Sequence, residues 1–260
     1  MTDIVKRTDD NGIATLTISR PKARNAMNAE ARVGLRQRLE EVRDDDSVDV
    51  VIITGDGDSF VAGADINELA VRKAGAGLDG EMQKLFDVLS NFDKPTVAAV
   101  GGYALGGGLE LALACDIRVG STNALFGLPE TGLGIIPGAG GTHRLARIVG
   151  TGMATDIIIT GRKLSGEEAL NTGLITYLVE PDELAATATK VAQRIQRKGP
   201  LAVRLAREIL SKGPLDHATA MSFERVAQAL LYSSPERDEG TSAFLNKRHA
   251  DFSEVRYDRN

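Results

Sequence analysis

Glu110 is the only ionisable side chain besides the Cys115 thiol in the run Leu105 to Cys115. Glu130 follows twenty residues later in Phe126-Gly127-Leu128-Pro129-Glu130, a second apolar, glycine-rich segment. A buried carboxylate is costly unless it is paired or used. Each glutamate therefore either meets an Arg or Lys or does chemistry. Two of them around one water could act as general acid and general base, provided that they lie within about 3 Å of the water and the reacting carbon.

Two loops could serve such a pair. Phe60-Val61-Ala62-Gly63-Ala64-Asp65-Ile66 is a small-residue loop that follows a strand and opens a helix. It is either a tight connection with Asp65 as N-cap or a source of uncovered backbone N–H groups for developing negative charge. Gly101-Gly102-Tyr103-Ala104-Leu105-Gly106-Gly107-Gly108-Leu109-Glu110 offers a second such place, or simply close helix packing. It lacks both the GxGxxG spacing of a dinucleotide loop and the Lys-Ser or Lys-Thr of a phosphate-cradling loop. His143, His217 and His249 show no ligand spacing to one another or to Cys115, so no metal is expected. No G-x-S-x-G elbow supplies a serine nucleophile, and Cys115 reads as a small core residue.

The positioning elements follow from periodicity. Ile13 to Ser19 alternates apolar and polar residues as a half-buried strand, and Val48 to Thr54 and Thr96 to Val100 are β-branched buried runs. Asn28 can cap a helix presenting Val33, Leu35, Leu39 and Val42 to the core, and Met82, Leu85, Phe86, Leu89 and Phe92 have helical spacing. Beyond Pro181 the signals are helical: Leu184 to Ile195, Ala202 to Leu210, Ala218 to Leu231 and a stretch containing Phe244 and Leu245. Alternating strands and helices predict an α/β fold with mostly parallel strands and functional loops at their carboxyl ends. A catalytic core over 1–198 and a helical subdomain over 199–260 are expected.

Composition narrows the function. The chain has 260 residues, 31 Lys+Arg against 36 Asp+Glu, 42% hydrophobic residues, 28 Gly and one Cys. A net charge of −5 with intermixed signs provides no field for nucleic acid or an anionic membrane. The longest uncharged run, Pro95 to Leu109, is shorter than the roughly 18 apolar residues of a membrane helix. Without a secretory signal pattern, and with a lone thiol, a cytoplasmic location is expected. Twelve glycines fall between Gly101 and Gly141, where the chemistry should concentrate.

These pieces, in this order, resemble the crotonase (enoyl-CoA hydratase) superfamily. Ser19-Arg20-Pro21-Lys22-Ala23-Arg24-Asn25-Ala26 is similar to the family's early CoA-binding segment. Ala62-Gly63-Ala64-Asp65-Ile66 and Gly106-Gly107-Gly108 resemble its two oxyanion-hole loops. Ile136 to Thr142 and Ala243 to Arg248 also look like family signatures. The resemblance implies a spiral of ββα units with a C-terminal helical trimerisation region, assembled as a homotrimer or dimer of trimers. It implies an acyl-CoA substrate, no cofactor beyond the CoA of that substrate, oxyanion donors at Ala64 and Gly107, and catalytic roles for Glu110 and Glu130. CoA contacts are implied at Lys22, Ala23, Arg24, Ala26, Ala62, Asp65 and Ile66. The implied reaction is hydration of a trans-2-enoyl-CoA to a 3-hydroxyacyl-CoA. Alternatives are a Δ3,Δ2-enoyl-CoA isomerase using Glu130 alone, or a non-catalytic CoA- or RNA-binding relative. Many members carry Lys after the Ala-Asp-Ile triplet where this chain has Asn67, so phosphate contact would lean on Lys22, Arg24 and a neighbouring subunit's Lys247 or Arg248.

Overall fold

The computed structural model describes residues 4–211, 216–253 and 255. The chain opens with a hairpin of β1 (Val5–Asp10) and β2 (Ile13–Ile18), followed by α1 (Ala29–Arg43) and β3 (Val50–Gly55). Next come α2 (Ile66–Val71), α3 (Ala74–Asp79), α4 (Glu81–Ser90), β4 (Thr96–Val100), β5 (Tyr103–Leu105), α5 (Gly107–Ala114), β6 (Ile117–Ser121) and β7 (Leu125–Gly127). A 3-10 turn at Pro129–Leu133 leads to α6 (Gly141–Val149), α7 (Thr151–Thr160), β8 (Lys163–Ser165), α8 (Gly166–Asn171) and β9 (Tyr177–Val179). The rest is helical: α9 (Leu184–Gln196), α10 (Pro200–Ser211), α11 (His217–Tyr232) and α12 (Pro235–Leu245).

Two sheets organise the core. The larger runs β1-β2-β3-β4-β6-β9 and is parallel from β2 onward. Val50, Val51 and Ile53 in β3 and every residue of β4 are buried, as expected of central parallel strands covered on both faces. The smaller sheet, β5-β7-β8, collects the short strands that follow β4 and β6. Each unit thus passes from a long strand to a short one and then to a helix.

Local chemistry sets the element ends. Asn28 accepts the Ala31 N–H at 2.9 Å and starts α1, and its buried stripe is Ala31, Leu35, Leu39 and Val42. Val33, expected on that stripe, is 55% exposed, because two residues before Leu35 is about 200° around a helix. Helix α4 buries Met82, Leu85, Phe86 and Leu89 as its spacing predicts. Cys115 is buried at the end of α5, and its surroundings push the thiol pKa up to about 12, chiefly by desolvation. Asp116 receives Arg207 at 2.9 Å and the Thr96 N–H at 2.7 Å, tying α10 to the start of β4. Among the described residues no helix is long and apolar enough to cross a membrane, and no group of three His, Cys, Asp or Glu could hold a metal.

Asn25 is fully buried and joins the loops around the cleft. Its amide donates to the carbonyls of Asp56 at 2.9 Å and Ser59 at 2.6 Å, and its oxygen accepts the Arg20 N–H at 2.8 Å. Asn25→Ala orphans all three backbone groups and should cost about 3 kcal/mol. Urea unfolding should show a lower midpoint at unchanged slope, and an unchanged midpoint would contradict this account.

Candidate active site

Three loops meet because of the small sheet. Val61 bridges Ala104, with the Val61 N–H donating to Tyr103 O at 2.9 Å and the Leu105 N–H to Val61 O at 3.2 Å. On the other side β5 pairs in parallel with β7, Leu105 opposite Gly127, and the Gly106 N–H donates to Gly127 O at 2.8 Å. The chain therefore leaves three adjacent parallel stretches at one end, into Ala62 to Asp65, into Gly106 and Gly107, and into Pro129 and Glu130. Carboxyl ends of parallel strands are where such sheets place ligands.

Helix α5 approaches this point unusually closely. A β-carbon on Gly108 would lie 1.8 Å from Val61 O, so only glycine lets the helix start against that backbone. The next residue outward shows the result: a β-carbon on Gly107 would lie 3.6 Å from Ala64 N and 3.0 Å from Met82 Sδ. Gly107 is the first residue of α5, so its N–H has no intrahelical acceptor. Among the described residues neither the Ala64 nor the Gly107 N–H meets an acceptor. Two free amides beside each other, that of Gly107 at a helix amino end, can together donate to an oxygen that gains negative charge.

Both glutamates reach the same cleft, which has a volume of about 520 Å³ and is also lined by Ala62, Ala64, Ile66 and Gly107. Glu110 stands one turn into α5 and is buried, and its Oε1 accepts the Ala139 N–H at 2.7 Å and the Gly141 N–H at 2.8 Å. Arg144 steadies this clamp by donating to Ala139 O at 2.8 Å. Burial raises the Glu110 pKa, while the two amides and the charge of Arg144 pull the other way. No Arg or Lys forms an ion pair with either glutamate among the described residues. Glu130 lies in the 3-10 turn with Oε1 3.0 Å from where a Gly106 β-carbon would be, and its Oε2 is buried without a hydrogen-bond partner. Desolvation, with a smaller contribution from the Glu110 charge, lifts its pKa to about 7.

The chain is similar over nearly its whole length to known proteins. The family model described as enoyl-CoA hydratase/isomerase matches residues 8–255. The chain belongs to the enoyl-CoA hydratase/isomerase family. A relative, the crotonyl-CoA hydratase of Syntrophomonas wolfei, is 46% identical over 246 residues, covering 92% of this chain and 94% of its own. The short-chain-enoyl-CoA hydratase of Clostridium acetobutylicum is 43% identical over 242 residues, covering 91% and 92%. The enoyl-CoA hydratase structure from Bacillus anthracis superposes with a TM-score of 0.91 at 35% identity, over 95% of this chain and 98% of that one. The fold is accordingly the crotonase fold of this family, with helices at its C-terminal end.

The segment expected to touch CoA in this enoyl-CoA hydratase/isomerase family member is placed beside the cleft rather than in it. Lys22 and Ala23 form a 3-10 turn, Arg24 adopts a left-handed conformation with its guanidinium 5.3 Å over the Tyr103 ring, and the Ala62 N–H donates to Arg24 O at 3.0 Å. Ala26 O accepts from Arg20, and Asp65 caps α2 while pairing with Arg20 at 3.1 Å. Ala62 and Ile66 line the cleft; Lys22, Ala23, Arg24, Ala26 and Asp65 do not. Arg248, an expected phosphate contact, is held bidentately by Glu239 at 2.5 and 2.7 Å. Sequence reasoning missed the clamp on Glu110, although Gly138-Ala139-Gly140-Gly141 was its signal, a run of small residues whose amides are uncovered. It also missed Met82 and Arg32 as cleft residues, since both sit on helices whose burial reads as ordinary core.

A proline at the first position of a helix keeps the helix and deletes the N–H. Gly107→Pro should lower kcat by about 10²–10³, whereas Gly107→Ala, which only presses on the flexible Met82 thioether, should lose far less. Equal losses in steady-state assays would show that the Gly107 amide does not act on developing charge.

Proposed function

We propose that this protein is an enoyl-CoA hydratase that adds water across the 2,3 double bond of a trans-2-enoyl-CoA, giving a 3-hydroxyacyl-CoA. The observation that carries the reading is the pair of unlike glutamates facing one cleft beside two free amides. The Ala64 and Gly107 N–H groups receive the thioester oxygen and stabilise its enolate-like charge as water adds at C3. Glu110 has one oxygen fixed by Ala139 and Gly141, which leaves the other to orient the water and take its proton. Glu130, with a pKa near 7 and an unpartnered oxygen, is suited to deliver the proton to C2. Atoms balance without a cofactor: hydroxyl goes to C3, a proton to C2, and the water's other proton resets the pair.

The 3′-phosphate end of CoA runs toward Lys22 and Arg24, which stand exposed at the cleft's flank. Helix α11 buries none of its residues and exposes Phe223, Val226 and Leu230, and α12 ends in exposed Phe244 and Leu245. These faces support assembly as a trimer or dimer of trimers, testable by light scattering as three or six times 27.6 kDa. The buried lone thiol suits a cytoplasmic setting.

The test is loss of enoyl-thioester absorbance with crotonyl-CoA and identification of the product. Glu110→Gln and Glu130→Gln should each retain CoA-ester binding and lose hydration by at least about 10². Glu130 must be protonated to donate, so turnover should fall as pH rises through about 7, and that limb should vanish in Glu130→Gln. Activity surviving in Glu110→Gln but not in Glu130→Gln, on 3-enoyl substrates, would instead indicate an isomerase.

A further inference from the structure

The outer wall of the cleft is held by charge. Helix α2 buries no residue, and Ile66 and Val71 in it and Leu78 in α3 are 60, 77 and 90% exposed. A β-carbon on Gly75 or Gly77 would touch nothing within 4 Å. Yet Leu69, Val71, Arg72, Gly77 and Asp79 line the cleft that contains Glu110 and Glu130. A wall with so little buried apolar area needs another fastening.

Arg32 on α1 supplies it. Arg32 is buried, and its guanidinium meets Glu68 Oε2 at 3.0 Å and Glu81 Oε2 at 3.5 Å. Glu68 lies in α2 and Glu81 opens α4, so one side chain grips both stems of segment 69–80. Glu68 is fixed further, its Oε1 accepting the Ala29 N–H at 2.6 Å, while Glu81 is 71% exposed and its pair is weak. The Arg32 Nε is buried with no hydrogen-bond partner, a cost that the two carboxylates and the Met27 carbonyl at 3.4 Å must offset. Nothing in the hydration chemistry uses this cation.

We infer that Arg32 is a positioning residue that fixes acyl-chain selection by clipping segment 69–80 at both ends, so that the cleft favours short enoyl groups. The inference rests on the hydratase reading for its substrate and on the ion-pair geometry for its mechanism. An acyl group long enough to press on 69–80 must displace that wall, and the clip opposes the movement.

The experiment compares wild type with Arg32→Met, which keeps the volume and removes the charge, and with Glu68→Gln, which removes the pair but keeps the buried guanidinium. Limited trypsin digestion reads cutting after the exposed Arg72 and Lys73, and kcat and KM are measured on crotonyl-CoA and trans-2-decenoyl-CoA. Both variants should be cut faster, and their decenoyl-to-crotonyl ratio of kcat/KM should rise about tenfold, through KM. Arg32→Lys should restore part of the difference. Unchanged cutting overturns the clip. Faster cutting with an unchanged ratio, or a parallel loss on both substrates, overturns its role in selection. If wild type hydrates neither substrate the hydratase reading falls, while the cutting rates still decide the clip.

Discussion

The short parallel ladder of Val61, β5 and β7 is the contact on which the rest depends. Its few backbone hydrogen bonds align the ends of three stretches that come from distant parts of the chain. A one-residue slip in that register would carry Gly107 away from Ala64, or Glu130 away from Gly106, and would reverse which side chains face the core. The long sheet supplies bulk and rigidity, but the three-stranded one sets atomic placement. Gly108 enforces this arrangement, since any side chain there would meet Val61 O and push the α5 amino end off the loop.

The two glutamates differ because their backbones differ. Glu110 sits in a helix pointed at a loop rich in small residues, and two amides oppose the desolvation that raises its pKa. Glu130 sits in a tight turn where no donor reaches Oε2, and its pKa rises to about 7. Two like residues in one cleft thereby meet unlike surroundings, one with an oxygen clamped by two amides and the other with an oxygen that no donor reaches.

Much of this was legible in the residues. Asn28 as a cap, the apolar spacing of Met82 to Leu89, the β-branched runs at β3 and β4 and the solitary Glu110 all express local preferences that tertiary structure left intact. Strand β1 was not legible, because Val5-Lys6-Arg7-Thr8-Asp9-Asp10 is an edge strand of which only Val5 is buried. The second sheet was hidden by the brevity of its strands, three residues each, too few for a period. Val33 misled because an apolar residue on a helix does not have to lie on its buried stripe. The partnership of Arg32 with Glu68 and Glu81 joins residues 36 and 49 positions apart and has no local signature.

Cys115 is buried at the end of α5 with its thiol pKa pushed up to about 12, so almost none of it is thiolate at neutral pH. The chain consequently offers a silent background for sulfur chemistry. A cysteine introduced at open Gly75 or Gly77 would be the sole reactive thiol of the native protein, and a fluorophore attached there would watch the cleft wall in an otherwise unlabelled molecule.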